Sequence, residues 1–192
     1  MKRRAGTLYL VVCGAGPAHQ THVLAGMAAA AGWDVFVGTT PNGAAFVDAQ
    51  EVLRVTGHPV RSDYQSPDGL DGWPPADAIV VAPASLNTVD KLAAGIADTW
   101  VLALLCECMG LDVPLIVAPN VNPALARHPA FQSSVRALGE WGVHVLYDRS
   151  APPPVWMASR EEILRVLDDV CRNRSRGAAS IGPASHDRRR KP

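Results

Sequence analysis

Small polar residues follow four apolar segments of the sequence, at positions where they could bind one ligand together. The four groups are Gly14-Ala15-Gly16, Thr39-Thr40, Ala84-Ser85-Leu86-Asn87-Thr88 and Asn120-Val121-Asn122. They offer hydroxyl groups, amide groups and backbone N–H groups, and none of them carries a charge. Such neutral hydrogen-bonding groups suit a ligand that is itself charged or polar.

The glycine turn at residues 14–16 opens a predicted helix, where free backbone N–H groups and the helix dipole favour an anion. The dinucleotide-binding pattern would need a third glycine at position 19, which is His19. It would also need an acidic residue after the second strand, where the chain has Thr39 and Thr40. Two hydroxyls suit phosphate oxygens better than a ribose diol. The sequence therefore favours a mononucleotide phosphate over NAD.

Apolar runs and helical patterns alternate along the chain, and this alternation predicts the elements that position the polar groups. The apolar runs cover residues 8–14, 34–40, 78–84, 114–120 and 143–147, and the helical patterns cover 17–31, 42–56, 87–109, 128–141 and 160–171. The runs are almost continuous in apolar residues, so each strand should be buried on both faces. We predict a single α/β domain, a Rossmann-like, doubly wound and mostly parallel sheet in a three-layer sandwich. Ligands of such sheets bind outside the carboxyl ends of the strands.

Charge is distributed unevenly along the chain. Residues 1–171 contain 11 basic and 17 acidic residues, a net charge of −6, whereas residues 172–192 contain seven basic residues and one acidic residue. We predict a folded domain over 1–171 and a basic, disordered tail over 172–192. The acidic domain argues against a nucleic-acid partner. Since no run of 18 residues is apolar without Gly, Pro or charge, no membrane span is predicted.

The cysteine pattern indicates a reducing compartment. The cysteines are Cys13, Cys106, Cys108 and Cys171. They form neither a C-x-x-C pair nor a ladder of short loops, so we expect a cytoplasmic protein. The basic N-terminus and the apolar run after it could suggest a signal peptide, but the run ends in a Gly-Ala-Gly-Pro turn, as a first strand would. His19 and His22 share a helix face without a nearby carboxylate or thiol, so no metal site is expected.

Several motifs resemble those of the homo-oligomeric flavin-containing cysteine decarboxylases. This family includes phosphopantothenoylcysteine decarboxylase and the enzymes that oxidatively decarboxylate C-terminal cysteines of lantibiotic-type peptides. Residues 83–98 resemble its P-A-S-A-N-T…K-x-A-x-G-x-A-D signature, and residues 40–46 resemble its T-E-N-A-x-x-F loop. Residues 119–129 resemble P-A-M-N-x-x-M-W-x-x-P, and residues 156–159 resemble the closing G-R-M-A-E. The similarity extends over residues 8–170.

The resemblance implies FMN as the cofactor. The cofactor-binding residues that it implies are Gly14, Ala15, Gly16, Thr39, Thr40, Ala84, Ser85, Asn87 and Thr88. The glycine turn and Thr40 would hold the phosphate, and the residues after the third strand would line the ribityl chain and the isoalloxazine. Asn87 would orient the thiol of the substrate, and Asn122 would bind its carboxylate. Because the family's flavin lies between subunits, the resemblance implies a homotrimer or a dodecamer.

The loop at residues 57–76 departs from the family at a catalytic position. The decarboxylases carry a histidine six residues before the tryptophan of a W-A-D segment. Here the corresponding tryptophan is Trp73, and Pro67 lies six residues earlier. His58 is the nearest histidine, and we expect a structural or solvent-exposed position for it. Other titratable residues of the loop include Asp63, Tyr64, Asp68 and Asp71.

The substrate motif and the active-site flap also depart from the family. Asn120, Val121 and Ala126 stand where the motif has alanine, methionine and tryptophan. The flap over residues 148–154 contains no cysteine, unlike the flap of the pantothenate enzymes. Phosphopantothenoylcysteine is therefore disfavoured as a substrate.

Three functions remain open from the sequence. The first is an FMN-dependent decarboxylase or oxidoreductase that acts on a cysteine-containing small molecule or a peptide C-terminus. The second is a catalytically silent FMN-binding subunit that regulates or scaffolds a partner, which Pro67 favours. The third is a flavin prenyltransferase, which shares the fold. It is the least supported, because those enzymes carry a segment resembling P-C-S-M at the position where this chain has Pro-Ala-Ser-Leu, residues 83–86.

Overall fold

Five parallel strands form the central sheet in the computed structural model, which describes residues 5–64, 72–147 and 157–180. The strands are β1 (Gly6–Val12), β2 (Trp33–Thr39), β3 (Ala78–Ala84), β4 (Leu115–Pro119) and β5 (His144–Val145). Their order is β2-β1-β3-β4-β5, and each adjacent pair runs parallel. The sheet order reverses direction at β1, so β1 and β3 flank the switch point of a doubly wound fold.

Helices cover both faces of this sheet. They are α1 (Thr21–Ala30), α2 (Pro41–Ala44), α3 (Ala49–Thr56), α4 (Leu86–Ala93), α5 (Trp100–Gly110), α6 (Pro123–Ala126), α7 (Pro129–Glu140) and α8 (Arg160–Ser180), and a 3-10 helix, Gly16–Gln20, precedes α1. Within the described ranges, none of these helices combines the length and apolar character that crossing a membrane requires.

The core consists of two apolar clusters, one on each face of the sheet. Successive strand residues point to opposite faces. Tyr9 and Val11 of β1 therefore pack with residues of α4, α5 and α7, whereas Leu8 and Leu10 pack with residues of α1, α3 and α8. All four side chains are buried. Burial on both faces accounts for the continuous apolar runs, and the predicted three-layer α/β fold is confirmed.

The helix predicted over residues 42–56 is two helices, α2 and α3. The second begins at a new N-cap, because the Asp48 carboxylate accepts hydrogen bonds from the backbone N–H groups of Gln50 and Glu51, both at 3.1 Å. Such a cap satisfies two of the N–H groups that a helix start leaves unpaired. The apolar spacing continues across the break, so periodicity alone did not locate it.

The helix predicted over residues 87–109 is likewise divided, into α4 and α5. Gly95 adopts a left-handed φ of 68°, and the N–H of Ile96 donates to the carbonyl of Lys91 at 2.9 Å. This geometry ends a helix, and glycine adopts it without strain. Thr99 then caps α5 by accepting the N–H of Leu102 at 3.4 Å. The short turn between the helices brings Thr99 to the carboxyl edge of the sheet.

The C-terminal elements differ from their predicted lengths. β5 is two residues long, shorter than the run predicted over 143–147. α8 continues to Ser180, past the end predicted at residue 171, so residues 172–180 are helical where we expected a disordered tail. Ion pairs join Asp169 to Arg165 and Arg172 at 3.3 and 2.9 Å and support this polar helix. Residues 181–192 lie outside the described residues, and the division into domain and tail stays a prediction.

Phe131 anchors α7 in the cluster against the sheet, and its side chain is fully buried. We expect Phe131→Ala to lower the free energy of unfolding by about 3–5 kcal/mol, because it leaves a cavity in a packed core. Phe46→Ala is the matched control: that ring is 48% exposed, so its loss should change stability by no more than about 0.5 kcal/mol. Urea unfolding followed by circular dichroism measures both, and equal effects would contradict the core assignment.

Candidate functional site

A cavity of about 700 Å³ opens at the carboxyl edge of the sheet, around the switch point between β1 and β3. Its volume lies within the usual range for a small-molecule site, about 300–1,000 Å³. The predicted site residues that line it are Gly14, Ala15, Gly16, Thr40, Ser85, Asn87, Thr88 and Asn122. The structure therefore brings together residues from all four polar groups of the sequence.

Two of the predicted cofactor-binding residues, Thr39 and Ala84, do not line the cavity. Both are fully buried. Thr39 is the last residue of β2, and its backbone N–H donates to the carbonyl of Arg61 at 2.7 Å. Its hydroxyl also donates a hydrogen bond to the carbonyl of Arg61, with the two oxygens 3.5 Å apart. Thr39 therefore lies outside the cavity lining, unlike Thr40, and its contact with a ligand stays a prediction.

The loops after β1 and β2 pack closely against each other at one end of the cavity. The N–H of Thr40 donates to the carbonyl of Val12 at 3.0 Å, and the Thr40 hydroxyl oxygen accepts the N–H of Gly43 at 3.0 Å. A Cβ on Gly43 would lie 2.4 Å from the Val12 oxygen, and one on Gly14 would lie 3.0 Å from the Asn42 oxygen. Only glycine fits at Gly43. The hydroxyl proton of Thr40 remains available to a ligand.

Ser85 is the N-cap of α4. The Ser85 hydroxyl oxygen accepts the N–H of Thr88 at 3.3 Å, and the two hydroxyl oxygens lie 3.1 Å apart. Thr88 is buried and also accepts the thiol hydrogen of Cys13, with sulfur and oxygen 3.2 Å apart. The hydroxyl of Thr88 is thus occupied by contacts within the fold. Asn87 is exposed, and its amide makes no hydrogen bond within the described part of the chain.

Asn122 combines a structural contact with a free donor. Its side-chain oxygen accepts the backbone N–H groups of Ala124 and Leu125 at 3.0 and 2.9 Å, which caps α6. The oxygen is therefore occupied, while the amide nitrogen can still donate to a ligand in the cavity. This orientation suits an acceptor such as a carboxylate.

Asn120, which belongs to the last of the four polar groups, also lines the cavity. Its backbone N–H donates to the carbonyl of Ala84 at 2.8 Å. Its side-chain oxygen is buried and has no hydrogen-bond partner among the described residues. Buried polar atoms in native proteins are almost always paired.

Lys91 is the one ionisable side chain among the described residues that line the cavity. It lies one helical turn after Asn87, a spacing that places both on the same face of α4. Its amino group pairs with the carboxylate of Asp98 at 2.5 Å. The helical spacing from Asn87 was the signal that could have identified it.

Two of the four thiols, those of Cys13 and Cys108, are buried. Burial raises the pKa of the Cys13 thiol, and burial together with the charge of Glu107 raises the pKa of Cys108 to about 11. A thiolate is the reactive form of cysteine. Both thiols therefore stay protonated near neutral pH and do not provide a nucleophile.

His58 has a structural position outside the cavity lining, as we expected. Its Nε2 lies 2.7 Å from a carboxylate oxygen of Asp34, and its ring stacks on Phe36 with 4.0 Å between centroids. Asp63 and Tyr64 also lie outside the lining. The remaining residues that we considered in this loop, Pro67, Asp68 and Asp71, lie outside the described residues, as does the flap at 148–154.

His19 makes a local contact near the start of the first helix. Nδ1 of His19 lies 2.7 Å from the carbonyl oxygen of Gly16, within the 3-10 helix. Across the described ranges, no group of three or more His, Cys, Asp or Glu side chains is placed to hold a metal ion.

Comparison with known proteins shows what kind of chain forms this cavity. The family model described as "Flavoprotein" matches residues 6–175. The chain belongs to the Flavoprotein family. This confirms the family resemblance of the motifs after β2, β3 and β4.

The curated relatives of this Flavoprotein chain match over parts of their length. The Coenzyme A biosynthesis bifunctional protein CoaBC of Escherichia coli (strain K12) is 28% identical over 120 residues, covering 58% of this chain and 28% of that protein. Phosphopantothenoylcysteine decarboxylase HAL3 of Malus domestica is 31% identical over 86 residues, covering 45% and 36%. The chain spans less than half the length of the curated relatives that it matches.

Solved structures match over nearly the whole domain. The FMN-dependent cysteine decarboxylase SpaF superposes with a TM-score of 0.69 at 25% identity, covering 89% of this chain and 98% of that chain. The FMN binding protein AtHal3 superposes with a TM-score of 0.71 at 21% identity, covering 88% and 98%. The likeness to AtHal3 shows that the two chains share a fold.

Substitutions of Ser85 and Asn87 should show which of the two residues stabilises the start of α4. We expect Ser85→Ala to lower the free energy of unfolding by about 1 kcal/mol, because the helix loses its N-cap. Asn87→Ala should change it by less than about 0.5 kcal/mol, because the exposed amide has no partner to lose. Urea unfolding of the ligand-free protein measures both. A larger loss for Asn87→Ala than for Ser85→Ala would reverse the two roles.

Proposed function

We propose that the chain binds FMN and acts as a decarboxylase or oxidoreductase on a cysteine-containing small molecule or peptide C-terminus. The observation that carries this proposal is the cavity at the switch point, where neutral donors from four loops converge. The Flavoprotein family and the likeness to the cysteine decarboxylase SpaF support it.

The donors of the cavity fit the phosphate of FMN at the end formed by the loops after β1 and β2. Residues 14–16 lead into the 3-10 helix that begins at Gly16. The N–H of Ala15 donates to the carbonyl of Cys13 at 2.8 Å, so Gly14 and Gly16 supply the N–H groups that would bind the phosphate. A Cβ on Gly16 would have no atom nearer than 4.0 Å, so this backbone faces open space. Thr40 adds its hydroxyl proton. These residues would bind the anion without a charged side chain.

The rest of the cavity fits the remainder of the cofactor. Ser85 and Asn87 present polar groups at the start of α4, and Leu86 and Leu102 present apolar surface in the same cavity. A lining that mixes apolar surface with a few convergent polar groups suits a flat heteroaromatic ring with polar edges. We assign the ribityl chain and isoalloxazine to this part of the lining.

Bound FMN would supply the two-electron acceptor that the protein side chains lack. Asn87 would orient the thiol-bearing end of the substrate with its free amide. Asn122 would donate its amide nitrogen to the substrate carboxylate, while its oxygen keeps the N-cap of α6. These two residues bind and position; neither can serve as a proton acceptor.

A second candidate function is a catalytically silent FMN-binding subunit. The specific observation in its favour is that no histidine occurs among the described residues that line the cavity. His58 pairs with Asp34 and stacks on Phe36 instead. A subunit that binds FMN but lacks a proton acceptor would retain the fold and cavity without turnover.

We further propose a homo-oligomer, a trimer or a dodecamer, in a reducing compartment such as the cytoplasm. Leu125 lines the cavity and is nevertheless 42% exposed, as a residue at the edge of an incomplete site would be. The four cysteines are free thiols, which suits a reducing environment. Light scattering of the purified protein measures the number of subunits.

The proposed function predicts a yellow protein that binds FMN with micromolar or tighter affinity. Riboflavin should bind at least about tenfold more weakly, because it lacks the phosphate that residues 14–16 and Thr40 would hold. Titration of the flavin-free protein, followed by flavin fluorescence, gives both dissociation constants. A colourless protein that takes up no FMN at micromolar concentration would refute the proposal.

Activity is tested with the same FMN-loaded protein. Anaerobic mixing with peptides that end in cysteine should bleach the flavin and release CO2, whereas matched peptides that end in serine should do neither. FMN binding without bleaching by any cysteine-containing compound tested would favour the silent subunit.

Asn122→Asp separates the two roles of Asn122. The carboxylate can still cap α6, so the melting temperature should stay within about 2 °C of the wild type. It cannot donate to a substrate carboxylate and repels it, so KM for a cysteine-terminated peptide should rise about 10- to 100-fold. Steady-state assays measure KM, and an unchanged value would remove Asn122 from the substrate site.

A further inference from the structure

Asn120 occupies a position in the cavity that the fold itself does not explain. It directly follows β4, and the hydrogen bond from its N–H to the carbonyl of Ala84 fixes it between the carboxyl ends of β3 and β4. Its side chain extends toward the glycine turn, because a Cβ placed on Gly16 would lie 4.0 Å from the Asn120 amide nitrogen. The amide therefore lies next to the glycine turn, while the backbone of Asn120 is fixed beside the residue that precedes the N-cap of α4.

The side-chain oxygen of Asn120 is buried without a hydrogen-bond partner among the described residues. An unpaired buried carbonyl destabilises a protein, because it has lost its hydrogen bonds to water. An alanine at this position would remove that penalty and keep the backbone bond to Ala84. Stability of the chain alone therefore gives no reason for an asparagine here, whereas a ligand that pairs with the amide does.

We propose that Asn120 is a cofactor-binding residue whose amide hydrogen-bonds a hydroxyl of the ribityl chain; this inference rests on the proposed FMN binding. The position of Asn120 carries the assignment. Its amide nitrogen reaches the glycine turn that would hold the phosphate, and its backbone is bonded to Ala84, which directly precedes the N-cap of α4. The ribityl chain joins the phosphate to the ring in FMN. A hydroxyl both donates and accepts, so it satisfies either end of an amide.

Three flavins distinguish this contact from a contact to the ring or to the phosphate. Asn120→Ala should weaken FMN and riboflavin equally, by about tenfold or about 1.4 kcal/mol, because both carry the ribityl chain. Lumiflavin has the ring and no ribityl chain, so its dissociation constant should stay within about twofold of the wild-type value. Fluorescence titration of the flavin-free proteins gives all three constants.

Asn173→Ala is the matched control, because Asn173 is exposed on α8 and lies outside the cavity lining. It should leave all three dissociation constants unchanged. The melting temperature of flavin-free Asn120→Ala should equal or exceed that of the wild type, since the substitution removes an unpaired buried atom. Weaker flavin binding by a chain that is no less stable cannot result from misfolding.

Three results would overturn the inference while leaving FMN binding intact. They are unchanged affinities for FMN and riboflavin in Asn120→Ala, an equal loss of lumiflavin binding, and unchanged flavin affinity with a raised KM for the thiol substrate. The last result would assign Asn120 to the substrate. A wild-type chain that binds no flavin would instead overturn the proposed function.

Discussion

Three backbone hydrogen bonds beyond the ends of the strands hold the whole cavity together. Cys13 N–H donates to Pro83 at 3.0 Å, Thr40 N–H donates to Val12 at 3.0 Å, and Asn120 N–H donates to Ala84 at 2.8 Å. They extend the pairing of the parallel sheet into the loops, so the loops after β1, β2, β3 and β4 leave the sheet in fixed positions. Because backbone groups make these bonds, they leave the polar side chains at this edge free for other contacts.

Side-chain oxygens at this edge accept hydrogen bonds from the N–H groups of helix starts, and the same residues line the cavity. Thr40, Ser85, Thr99 and Asn122 each cap a helix and each line the cavity. A cap uses an oxygen as acceptor and leaves hydroxyl or amide hydrogens available. The caps thus fix the walls of the cavity and give it neutral donors.

Strand positions and the polar edge were predictable from the sequence because each depends on local patterns. Continuous apolar runs identified the strands, and the residues after them identified most of the cavity. The direction of single side chains was not predictable: Thr39 and Thr40 are alike in sequence, but Thr39 ends β2 and is buried, whereas Thr40 caps α2 and lines the cavity. The roles of Ser85 and Asn120 depend on partners in space, which the spacing of residues does not record.

Separate atoms therefore determine shape and ligand choice in this domain. The positions of the loop ends depend on backbone hydrogen bonds, and every residue type except proline can donate such a bond. Asn87, Asn120 and Leu125 also line the cavity, and their side chains do not cap any of the described helices. Exchanges at these three positions can retune selectivity while the scaffold persists, which gives the fold room to acquire new substrates by single-residue steps.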